Sequence, residues 1–151
     1  MQLKTLVGNG KKIGLLTAPF LVIGIIMNIV FPKNFSVGGP SLPLFLVSLV
    51  ILIPGIFNWI WSVILIVKKI SRKELIKTGP YAIIKHPLYV GVALLVLPWI
   101  GFIINTWLGA LIGIIVYIGS RLYGPGEEKI LKAIFGREWE DYEKSVKIRW
   151  I

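Results

Sequence analysis

Two short stretches gather the residue types that can do chemistry. The first is Lys77-Thr78-Gly79-Pro80-Tyr81, followed by Ile83-Ile84-Lys85-His86-Pro87-Leu88-Tyr89-Val90-Gly91. Gly79-Pro80 makes a turn, and Pro87 biases His86 away from helical backbone. A lysine, an imidazole and two phenols are thereby held on one rigid segment. Taken singly, His86 or Tyr89 reads as an aromatic anchor where the chain enters a membrane; clustered at one depth they read as a ligand site. The second stretch is Gly124-Pro125-Gly126-Glu127-Glu128. Gly-Pro-Gly should interrupt a helix, which places both glutamates in the first turn of a new one. Acids there complement the helix dipole, and they also offer carboxylates to a cationic ligand. Glu128, one residue deeper into the new helix, is marginally the better placed. If a proton has to be removed from a substrate, His86, Tyr89 or a glutamate could take it, with His86 and Tyr89 the catalytic candidates. The chain has no cysteine and one histidine. Disulfides, thiolate catalysis and Cys-based or multi-His metal sites are excluded on that count, and no metal is expected.

The elements that must position these groups follow from composition. Of 151 residues, 56% are hydrophobic and 16% charged, with a mean hydropathy of +0.80. A soluble domain is nearer half apolar and a quarter charged, and a disordered chain needs low hydrophobicity. The chain is therefore an integral membrane protein of one domain, residues 1–151. Its net charge of +10 fits cytoplasmic loops beside anionic headgroups rather than nucleic acid, because no soluble basic domain is left to bind it.

Residues 13–31 form an uncharged block about 28 Å long as a helix, enough to cross the hydrocarbon layer. It reads as a retained span rather than a cleaved signal peptide. A Gly/Pro-rich connector, 32–41, precedes a second block at 42–67, long enough to need tilt or a bend near Pro54-Gly55. Asn58, Trp59 and Trp61 in its second half read as packing or interfacial anchors. Residues 88–120 are uncharged and too long for one crossing. Asn105-Thr106 near the middle suggests a tight hairpin of two spans, 88–104 and 107–120, with Pro98 kinking the first arm. Four spans put sixteen of the seventeen lysines and arginines on one side. Three spans would strand the C-terminal ones opposite, so the positive-inside rule selects four, with both termini cytoplasmic. The loop 68–87 and the tail 121–151 then share the cytoplasmic face of a prokaryotic-type plasma membrane. In the tail, Ile130, Leu131, Ile134, Phe135, Trp139, Tyr142 and Val146 recur at helical steps, marking an amphipathic helix. The expected fold is all-α and membrane-integral: about four transmembrane helices, including a C-terminal hairpin, plus a cytoplasmic amphipathic tail helix. Such a hairpin returns its second arm to the surface where the first began, so Glu127-Glu128 should converge on His86–Tyr89 as a ligand site.

Here a resemblance joins the argument. Gly-Pro-Tyr-x-x-x-Lys-His-Pro-x-Tyr-x-Gly, an apolar hairpin, Glu-Glu-x-x-Leu-x-x-x-Phe-Gly-x-x-Trp-x-x-Tyr and a late Val together resemble the isoprenylcysteine carboxyl methyltransferase and phospholipid methyltransferase superfamily. The resemblance covers roughly residues 77–151. It implies an integral membrane enzyme that uses S-adenosylmethionine, with the His-Pro segment and the glutamate pair building the cofactor pocket. Carried onto this chain, the cofactor-binding candidates are Tyr81, Lys85, His86, Pro87, Leu88, Tyr89, Gly91, Glu127 and Glu128. Glu127 or Glu128 suits the cofactor's ammonium, and His86 or Lys85 its carboxylate. Tyr81 and Tyr89 suit adenine stacking or the sulfonium. The chain departs from the family pattern at Lys85, where arginine is usual and supplies a bidentate fork. It departs also in the Gly-Pro-Gly before the glutamates and in ending at Arg149-Trp150-Ile151 without the proline common there. The acceptor implied is lipophilic, with isoprenylcysteine carboxylate, a phospholipid amine and a small lipophilic thiol or acid all open. A membrane sterol-type NADPH reductase has a related hairpin with His-Pro-Asn-Tyr and a glutamate after its glycine; Leu88 and Val92 stand at those places here. A non-catalytic membrane adaptor or lipid-binding protein is the alternative of a different class, and cofactor binding separates the three.

Overall fold

The structure, a computed structural model, describes residues 6–39 and 41–148. Lys4, Pro40 and the terminal Arg149-Trp150-Ile151 lie outside the described residues. Six helices follow in chain order among them: α1 (Leu6–Val30), α2 (Pro32–Phe35), α3 (Leu42–Arg72), α4 (Pro87–Ile103), α5 (Leu108–Phe135) and α6 (Arg137–Ser145). A single 3₁₀ turn, Gly79–Ala82, punctuates the loop between α3 and α4. The described residues contain no strand, only a β-bridge between Ile84 and Ile148.

Three of these helices are long and apolar enough to cross a membrane: Gly10–Val30, Leu42–Lys69 and Leu108–Phe135. Leu15, Ile29 and Val50 keep 74%, 72% and 71% of their surface exposed. Such an outward apolar face is stable only against lipid, so the chain is an integral membrane protein. Pro87–Ile103 is a shorter apolar helix, with its residues Gly91–Val96 widened into π geometry. Pro98, expected to kink this arm, opens its final α-helical stretch, Leu97–Ile103.

α4 and α5 form the hairpin expected from Asn105-Thr106. The Thr106 N–H donates to the Gly101 carbonyl at 2.8 Å, and Asn105 takes a left-handed backbone at φ 58°. The arms touch backbone to backbone: a Cβ at Gly109 would lie 2.0 Å from the Leu97 carbonyl oxygen. This small-residue packing is how helices approach in lipid, where burial of apolar surface gives no net drive. The connector is stapled to the hairpin tip. Asn105 Oδ1 accepts from Ser36 Oγ and the Gly39 N–H, and Thr106 Oγ1 donates to Asn28 Oδ1. α1 lies along α5 and α3 along α4. Ile13, Ala93, Leu108, Ile112 and Val116 fill the junction of α1, α4 and α5.

The boundaries differ from expectation at the end of the hairpin away from Asn105-Thr106. The arm expected at 107–120 is a helix that continues to Phe135, straight through Gly124-Pro125-Gly126. Gly-Pro-Gly therefore does not interrupt it, and Glu127 and Glu128 lie inside a long helix rather than in the first turn of a new one. Pro125 contributes no N–H to the ladder of this helix. Arg121 and Pro125 are both exposed. The break falls instead at Gly136, at φ 52°, so the single amphipathic helix expected over 130–146 is divided between the end of α5 and the separate α6. Its apolar face still converges: Trp139, Tyr142 and Val146 bury against Leu75, flanked by Leu131 and Phe135.

Candidate functional site

The site grows from one buried cation. Lys85, in the loop just before α4, is 9% exposed. Its ammonium donates to both carboxylate oxygens of Glu128 at 3.2 Å and to Glu143 Oε1 at 2.7 Å. An ammonium at this depth requires such partners, since an unpaired buried charge is costly. Burial works against the Lys85 charge, yet the hydrogen bonds to Glu143 and Glu128 outweigh it and hold this lysine above the ordinary 10.5. The next residue joins the same knot. His86 Nε2 lies 3.2 Å from Glu128 Oε1, so the carboxylate accepts the Nε2 proton and fixes the ring. Glu128 thus ties the foot of one hairpin arm to the other.

The tail closes over this knot. Tyr142 Oη donates to the Tyr81 carbonyl at 2.9 Å, and the Ile148 N–H donates to the Ile83 carbonyl at 2.9 Å. Burial, then the nearby Glu127 charge, pushes the Tyr81 phenol far above its usual range. Burial, then Glu128, does the same to Tyr142. Both remain neutral O–H groups at any physiological pH.

Between loop, α5 and tail runs a cleft of about 220 Å³. Of the nine residues expected to hold a ligand, Tyr81, Lys85, His86, Leu88, Tyr89 and Glu127 line it. Pro87, Gly91 and Glu128 do not. Pro87 is fully buried at the start of α4, Gly91 packs against Asn58, and Glu128 is turned into the Lys85–His86 knot. Glu127 faces the cleft instead, with its Oε2 buried. The His86 and Tyr89 rings stand 6.3 Å apart between centroids.

Sequence reasoning missed part of the wall. Glu74, Leu75 and Ile76 from the loop, Ile66 from α3 and Gly10 from α1 also line the cleft, as do Leu131, Phe135, Trp139 and Tyr142. The last four were visible as an apolar stripe, and the stripe's target is the cleft. Glu143 gave no local sign, since its partner Lys85 lies 58 residues away. The arrangement offers a carboxylate, an oriented imidazole and two phenols beside an aromatic and aliphatic wall, at the N-terminal end of α4.

Against known proteins, the family model of the isoprenylcysteine carboxyl methyltransferase (ICMT) family matches residues 42–132. No curated protein and no solved structure matches the chain. The match covers more than half of the chain, from the start of α3 almost to the end of α5, and it contains Lys85, His86, Glu127 and Glu128.

Proposed function

This chain belongs to the isoprenylcysteine carboxyl methyltransferase family, and from that premise we propose that it moves a methyl group from S-adenosylmethionine to a lipophilic acceptor. The observation that carries the reading is the division of labour within the glutamate pair. Glu128 is engaged with Lys85 and His86, while Glu127 lines the cleft beside Tyr81 and Tyr89. A partly desolvated carboxylate suits the cofactor's ammonium, and the aromatic wall suits adenine and the electron-poor sulfonium. S-adenosylmethionine, when bound, supplies a methyl group already activated for in-line displacement. What the chain's residues contribute is placement and exclusion of water. Trp139, Tyr142, Leu131 and Phe135 close the cleft with apolar surface. With Nε2–H held by Glu128, Nδ1 is the His86 nitrogen able to take a proton from an amine or thiol acceptor. Tyr89 is the second candidate, as a hydrogen-bond donor. A carboxylate acceptor needs neither.

The topology proposed with this function has four crossings, the shorter α4 joining α1, α3 and α5, with both termini cytoplasmic. The sixteen-to-one charge division supports it, as does the meeting of His86 at the foot of α4 with Glu128 on α5. The acceptor then reaches the cleft sideways from the bilayer, and the cofactor reaches it from the cytoplasm. Calorimetry of the detergent-purified protein tests the donor: S-adenosylhomocysteine should bind and NADPH should not. The acceptor is tested by transfer of a labelled methyl group to lipid-tailed and water-soluble analogues of equal reactivity. Equal rates for the two would refute lateral entry, and absence of S-adenosylhomocysteine binding would refute the methyltransferase reading.

A further inference from the structure

We propose that Asn58, on α3, is a positioning residue that sets the His86-Pro87 corner from the neighbouring helix. The proposal rests on the reading of His86 as part of the methyl-transfer site. Asn58 is a half-buried amide in an apolar membrane helix, and polar side chains at such depth are kept for specific partners. Its partner here is the Pro87 carbonyl, which accepts from Asn58 Nδ2 at 3.4 Å. That carbonyl has an unusual need. Where α4 widens into π geometry at Gly91, the Gly91 N–H is shared between the carbonyls of Pro87 and Leu88. The Pro87 carbonyl thus has only a shared donor within α4, and Asn58 provides a second from outside the helix. The fit is close. A Cβ at Gly91 would lie 2.6 Å from Asn58 Nδ2, so only glycine lets the amide reach past it. Pro87 is fully buried with its φ fixed by the ring. Anchoring its carbonyl thus fixes the point from which the preceding residue, His86, projects its ring toward Glu128.

His86 is the only histidine in the chain, so its imidazole gives a single assignable NMR signal. The test compares Asn58→Ala, Asn58→Asp, Gly91→Ala and the double variant Asn58→Ala/Gly91→Ala in detergent. Melting temperature, the His86 Cε1–H chemical shift and S-adenosylhomocysteine affinity are measured on each. Asn58→Asp keeps the size of the side chain and replaces the donor with an acceptor, so it serves if Asn58→Ala does not fold. Loss of the donor should move the His86 signal and weaken S-adenosylhomocysteine binding about fivefold, the worth of one hydrogen bond. In the double variant the two methyl groups share the vacated space. It should regain the wild-type melting temperature while the His86 signal and the affinity stay displaced. A His86 signal unchanged in Asn58→Ala or Asn58→Asp would overturn the proposal, and so would full recovery of signal and affinity in the double variant. If wild type itself binds no S-adenosylhomocysteine, the methyltransferase reading fails, while the His86 shift still decides the role of Asn58.

Discussion

Exchanging each glutamate of the pair for glutamine should produce two different kinds of damage. Glu128 accepts three hydrogen bonds at 3.2 Å, two from Lys85 and one from His86. Bonds to charged groups contribute about 1.5–3 kcal/mol each. These are long, glutamine keeps one acceptor oxygen, and the Glu128 side chain is still 27% exposed. A net loss of about 2 kcal/mol of stability is therefore expected for Glu128→Gln. Glu127→Gln should cost less stability than Glu128→Gln, since the Lys85 and His86 bonds are made by Glu128. Its expected damage is to binding. Removing one member of a desolvated charge pair costs about 2–5 kcal/mol, at least about thirtyfold in the dissociation constant of S-adenosylhomocysteine. Calorimetry and chemical denaturation of the same detergent preparations read the two effects. Wild-type affinity in Glu127→Gln, together with weakened binding by a normally stable Glu128→Gln, would reverse the assignment. Wild-type affinity in both would remove the carboxylates from the site.

Lys85→Met should cost about 2–4 kcal/mol by leaving Glu128 and Glu143 facing each other, against at most about 1 kcal/mol for Glu143→Gln, whose carboxylate is 40% exposed; equal losses in denaturation would contradict the buried-cation reading. The sign of the pH dependence follows from the raised Lys85 value: its contribution is complete below pH 10.5 and declines as pH rises through the higher folded-state value. Wild type should therefore lose stability on the alkaline side relative to Lys85→Met, and parallel alkaline limbs for the two proteins would refute this. Gly109→Ala sets a methyl group 2.0 Å from the Leu97 carbonyl oxygen and should cost about 3 kcal/mol, the upper end for overpacking; an unchanged melting temperature would show that the arms do not meet there. A cysteine at Asn34 should label from outside intact cells and one at Ser145 only after permeabilisation, and external labelling at Ser145 would break the four-span topology.

What the chain made legible was chemistry at a distance, and what it hid was continuity. The approach of Glu128 to His86 follows from two local readings, a turn at Asn105-Thr106 and a charge-free stretch on each side of it. Neither depends on where any helix ends. The end of α5 was misplaced because Gly-Pro-Gly is judged by intrinsic propensity, where proline and glycine both disfavour helix. In the folded chain Pro125 lies at an exposed position while α5 is gripped along its length by α1 and α4, and tertiary packing overrides propensity. The apolar stripe of the tail was legible as a stripe, but its break at Gly136 was not, because the residues on either side still bury into one cluster.

The same distinction explains why the glutamates could be found but not told apart. Adjacent residues on a helix point about 100° apart, so only one of the pair can face a given neighbour. Which one does is set by the rotation of α5 about its own axis, and that rotation is decided far from the pair. Gly109 and Gly113 hold α5 against the Leu97 and Ala93 carbonyls, and Ile112 and Val116 bury against α1 and α4. Because α5 runs unbroken from these contacts to Glu128, the hairpin's glycine seam dictates that Glu128 meets Lys85 and His86 while Glu127 meets the cleft. A chain broken at Gly124-Pro125-Gly126 would have uncoupled the two ends. The continuity that propensity failed to foresee is therefore what transmits hairpin packing to the carboxylate at the site.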